Sequence, residues 1–74
     1  MLRLHTAIYA GTAIDAALQR FAALGTFERS IDGDYFVVRA DLDADRGRRI
    51  AGELANFALG LTVEQGGPDR EGAP

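Results

Sequence analysis

The sequence predicts an α+β fold of order β-α-β-β-α: a three-stranded antiparallel sheet with two helices on one face, a truncated ferredoxin-like layout. Three observations predict it. Leu2 to Tyr9 alternates with the period of a strand. The pair Asp32-Gly33 stands between two strand-like runs, where a hairpin turn belongs. Two apolar stripes recur at helical spacing, one before and one after that hairpin.

In the first strand, Leu2, Leu4, Thr6 and Ile8 share one face, and Arg3, His5, Ala7 and Tyr9 the other. Gly11-Thr12 breaks the run. Thr12 with Asp15 resembles a capping box, Asp standing in for the usual Glu. Ile14, Ala17, Leu18, Phe21 and Leu24 form the stripe of a first helix over Ala13 to Leu24, with Gly25 placed as a left-handed C-terminal cap.

A type I′ turn at Asp32-Gly33 would set Ile31 opposite Asp34, Arg29 opposite Phe36 and Phe27 opposite Val38. Phe27, Ile31, Phe36, Val38 and Ala40 then make the core face. Arg29 lies among them and must reach the rim beside Asp34. Glu28, Ser30, Tyr35, Val37 and Arg39 face outward.

Asp41, Asp43 and Asp45 open the second helix, where acidic side chains suit the positive helix start. Ile50, Leu54, Phe57 and Leu61 form its stripe, beside Ala51 and Ala58, and carry the helix to about Thr62. The alternative stops the helix at Gly60 and makes 61–65 a strand, helped by the β-branched Thr62 and Val63. That strand would complete a full β-α-β-β-α-β ferredoxin-like fold. Without it the first strand is an open edge. Residues 1–65 form one domain, and 66–74 are expected to be a disordered tail.

A chain of 74 residues buries only about 60% of the surface its unfolded form exposes. Such scaffolds usually add disulfides, a metal or self-association. With no Cys and one His, disulfides and thiolate or imidazole-rich metal sites drop out. Self-association remains, and a homodimer is the expectation. No cofactor is expected. A net charge of −3 argues against a general nucleic-acid binder. No apolar run is long enough for a membrane span, and Met1 to His5 lacks a signal peptide's apolar core, so a cytoplasmic location is expected.

Motifs for chemistry are weak. Asp41 to Gly47 has acids at alternate positions like a calcium loop, but Arg46 and Gly52 stand where that loop needs Gly and Glu. A solvated helix start is the better reading. Arg46, Arg48 and Arg49 fit a solvated face balanced by those acids. His5 near Tyr9, Tyr35 and Ser30 has no carboxylate placed to orient it as a triad needs.

Interaction residues are easier to nominate. Tyr9, Tyr35, Val37 and Arg39 would make a mixed aromatic and basic surface on the outer sheet face. Ala55, Leu59 and Val63 form a second apolar strip on the second helix that a monomer this small has nothing to cover.

Tyr9, Ala13-Ile14, Ala17 and Arg20-Phe21, with Val37-Val38 and the segment Glu53-Leu54-Ala55-Asn56-Phe57-Ala58-Leu59, resemble the His-Xaa-Ser system protein D (HxsD-like) family over about residues 4–63. The resemblance implies a small bacterial accessory protein encoded beside radical-SAM peptide-maturation enzymes, with no catalytic residue of its own. The expected function is a non-enzymatic adaptor that binds protein partners. One alternative is an oligomeric ligand-binding protein or enzyme with an interface site near His5, Tyr9 and Tyr35. The other is a nucleic-acid-binding protein using Arg3, Tyr9, Tyr35 and Arg39.

Overall fold

A computed structural model describes residues 2–68. The elements are β1 (Leu2–His5), α1 (Gly11–Arg20), a 3-10 turn (Ala22–Leu24), β2 (Phe27–Asp32), β3 (Tyr35–Ala40) and α2 (Ala44–Glu64). The sheet order is β1-β3-β2, with both pairings antiparallel. This is the three-stranded, truncated ferredoxin-like class that the sequence predicts. Residues 61–64 continue α2 instead of forming a fourth strand.

The apolar stripes meet where periodicity places them. Leu4, Ile14, Ala17, Phe36, Val38, Leu54 and Ala58 form the core, with Leu2, Tyr9, Leu18, Phe21, Phe27, Ala55 and Phe57 packed around it. Small residues on the inner faces, Ala13 and Ala17 on α1 and Ala58 on α2, bring backbones close. Phe21 and Phe57 then meet edge to face at 6.0 Å.

Several local expectations are corrected. β1 ends at His5 because its carbonyl accepts the N–H groups of Ile8 and Tyr9, both at 3.0 Å, in a tight turn. Ile8 is therefore 53% exposed rather than in the core. Helix α1 starts at Gly11 with Ala10 as its cap residue, two places before the expected Thr12, and ends at Arg20. Leu24 lies beyond it and is exposed. Gly25 has φ 168, extended backbone rather than a left-handed cap.

The hairpin is shifted by two residues. Its partners are Asp32 with Tyr35, Arg29 with Val38 and Phe27 with Ala40, so the turn is Gly33-Asp34. Gly33 has φ +60, and no non-glycine residue among those described has positive φ, which is a type II′ arrangement rather than I′. A shift of two preserves the faces, because side chains alternate with period two. Ile31 and Ala40 nevertheless lie near the strand ends and are exposed. Arg29 finds Asp15 of α1 rather than Asp34, through Nε to Oδ1 at 2.6 Å and Nη2 to Oδ2 at 3.1 Å.

Helix α2 is stopped at both ends by specific groups. The Asp43 carboxylate accepts the Arg46 N–H at 2.9 Å. Asp43→Ala is expected to cost about 1 kcal/mol, measurable as a lowered urea midpoint with an unchanged m-value. At the other end Gly66 N–H donates to the Val63 carbonyl and Gly67 N–H to the Thr62 carbonyl, with Gly66 at φ +98. That is a Schellman stop, so Gly66 and Gly67 finish the helix rather than begin a tail. Residues 69–74 of the expected tail lie outside the described residues.

Candidate functional site

The placement of α2 leaves one side of the molecule uncovered. Arg29 on β2 ties α1 to the β2 half of the sheet. Helix α2 packs beside α1 through Phe57, so α2 covers the β1 half. At about 100° per residue, Phe57 lies on the α1 side of the buried line through Ile50, Leu54 and Ala58. Ala55 and Leu59 turn to the opposite flank, toward the free side of β1, and Val63 continues onto the solvent side. Ala55 is half-buried, Leu59 is 38% exposed and Val63 69%.

Below this flank β1 pairs only with β3 among the described residues. The Thr6 N–H donates to the Asp34 carbonyl at 2.8 Å. With Leu4 opposite Phe36 and Leu2 opposite Val38, alternation of the ladder directs the backbone groups of Leu2 and Leu4 to β3. Those of Arg3 and His5 point to the open side. The His5 carbonyl is used by the turn, which leaves the Arg3 N–H, the Arg3 carbonyl and the His5 N–H along the edge.

The outer sheet face is built from Arg3, His5, Tyr35, Val37 and Arg39. The Arg3 guanidinium lies 4.4 Å from the Tyr35 ring centre, and the His5 ring meets Tyr35 edge-on at 5.0 Å. The Ala7 N–H donates to His5 Nδ1 at 3.0 Å, so the lone pair a general base would need at that nitrogen is engaged. Two nominated residues are placed differently from expectation. Tyr9 belongs to the turn after β1 and packs on the core, so it is absent from this face. Val37 is on the face but only 5% exposed, set between its register partners Arg3 and Ser30. Tyr35 and Arg39 remain accessible there.

No family model, curated protein or solved structure matches this chain. Function is therefore read from geometry. Among the described residues no group of three His, Cys, Asp or Glu could hold a metal ion. No helix there is long and apolar enough to cross a membrane. Asp43, in the calcium-like segment, is occupied as the α2 cap. A cleft of about 360 Å³ opens where the start of α2 meets the sheet, walled by Leu2, Phe27, Leu42 and Ile50. Its rim polar groups are Asp43 and Arg48.

Sequence reasoning missed Thr62, the one buried polar residue among those described, at 1% exposure. Its Oγ1 accepts the Ala10 N–H at 3.1 Å and donates to the Ala58 carbonyl at 2.7 Å. Nearby, Thr12 Oγ1 donates to Gln65 Oε1 at 3.1 Å. The bonds from Thr62 to Ala10 and from Thr12 to Gln65 clamp the start of α1 to the end of α2. The sequence signal was a threonine four residues after Ala58 and eight after Leu54, in one row on the helix.

Proposed function

We propose that this chain is a small non-enzymatic accessory protein that binds protein partners at the margin formed by β1 and α2. The observation that carries the reading is the pair Leu59 and Val63, exposed on α2, in a molecule whose β1 edge has no neighbour among the described residues. Exposed apolar side chains scattered singly are ordinary. These two are one helical turn apart, and the unpaired strand backbone is a second surface open to another chain, a combination that favours contact with another protein. The resemblance to the HxsD-like family extends the reading to a bacterial, cytoplasmic adaptor in a radical-SAM peptide-maturation system. Self-association as a homodimer through Leu59 and Val63 is the simplest form of such binding, because a second copy brings the same apolar pair to the contact.

Light scattering after size exclusion tests it. At micromolar concentration the native chain is expected to elute as a dimer and Leu59→Asp as a monomer with unchanged far-UV circular dichroism. Because Leu59 is already partly solvated, the substitution should disturb assembly more than folding. A native chain that is monomeric throughout, with the same mass as Leu59→Asp, counts against the reading.

A further inference from the structure

We propose that the open edge of β1 takes an extended peptide in which acidic and apolar residues alternate. The proposal rests on the protein-binding reading above and adds the chemistry of the partner. Strand addition needs donors and acceptors that point outward at alternate residues. Arg3 supplies both, and His5 supplies an N–H. A residue paired with Arg3 across this edge carries its side chain on the same face as Arg3, the outer face. Its neighbours on either side point the other way, to the face of the sheet that carries the helices.

The charges on the two faces then dictate composition. Arg3 and His5 stand on the outer face at the edge itself, and Arg3 has no carboxylate partner among the described residues. The acids of that face, Glu28 and Asp32, are on β2. They lie two strand spacings away, roughly 9.5 Å, which is about a Debye length at physiological salt. Glu28 also sits opposite Arg39 in the register. A protein of net charge −3 thus presents a locally basic edge. An acidic residue opposite Arg3 complements it, and the apolar residues on either side share the face of Leu2 and Leu4. A second β1 strand is a poorer occupant, because it would bring two Arg3 side chains together on one face.

The test uses the full chain and two short synthetic peptides, one alternating valine with glutamate and the other valine with lysine, followed by fluorescence anisotropy. The glutamate peptide is expected to bind about tenfold or more tighter than the lysine peptide, with affinity falling as salt rises. Arg3→Glu, at an exposed position, should reverse the preference. Methylating peptide amides one at a time should abolish binding at alternate positions only, the signature of a strand ladder rather than of a charged patch. Equal affinity for both peptides, an unreversed preference in Arg3→Glu, or indifference to amide methylation overturns the assignment. A dimer sensitive to Leu59→Asp would still stand in that case. If neither peptide binds and Leu59→Asp changes nothing, both readings fall.

Discussion

Leu54→Ala is expected to remove about 2–5 kcal/mol of stability. Leu54 is 1% exposed and sits in the core between the sheet residues Leu4, Phe36 and Val38 and the helix residues Ile14 and Ala17. Its neighbours Ala17 and Ala58 cannot extend into the vacated space, so a cavity would persist. A 74-residue domain at roughly 0.05–0.15 kcal/mol per residue holds only about 4–11 kcal/mol in total. One truncated leucine therefore consumes a large fraction of the fold's margin. Urea denaturation should show a steeply lowered midpoint or no folded baseline. Leu59→Ala, at 38% exposure on the same helix, should shift it little. Similar midpoints for the two variants would show that the core does not lie where α2 meets the sheet.

Thr62→Val should cost about 1–3 kcal/mol without changing the size of the side chain. The volumes match, so packing is preserved and the hydroxyl alone is removed. Ala10 is 0% exposed, and the Thr62 Oγ1 accepts its N–H. Without that oxygen a buried donor at the start of α1 loses its partner and its desolvation is uncompensated. Thr62→Ser keeps the oxygen and should be the milder variant despite losing a methyl group. Amide exchange at Ala10 separates the causes: it should accelerate in Thr62→Val and stay near native in Thr62→Ser. Equal exchange in both would leave the hydroxyl without the role assigned to it.

The fold class was legible because its evidence is periodic. The α2 stripe through Ile50, Leu54 and Phe57 pointed at the core, and the helix continues past Gly60 even though glycine costs about 1 kcal/mol in a helix interior. Ala58 and Thr62, both buried, hold the chain on either side of that glycine. Tertiary packing overrides the local preference that made a strand over 61–65 plausible. The hairpin was legible in place and in facing but not in register. Asp32-Gly33 and Gly33-Asp34 both provide a glycine for the turn, and the observed pairing of Asp32 with Tyr35 distinguishes them.

The interaction surface was legible in part. The strip of Ala55, Leu59 and Val63 follows from helical spacing. The place of Tyr9 does not, because it depends on where β1 stops. That is decided by the His5 carbonyl accepting the Ile8 and Tyr9 N–H groups, a turn without Gly or Pro to announce it. Val37 was put on the outer face correctly, but alternation gives a side, not a degree of burial. The hydroxyl of Thr62 was invisible for a related reason: its partner is 52 positions earlier in the chain.

That separation bears on how the molecule comes into being. Ala10 waits for a residue 52 positions further along before the first helix is anchored. Contacts so far apart in sequence slow the closing step. Until that later segment is in place, the hairpin and the first helix keep their apolar sides uncovered.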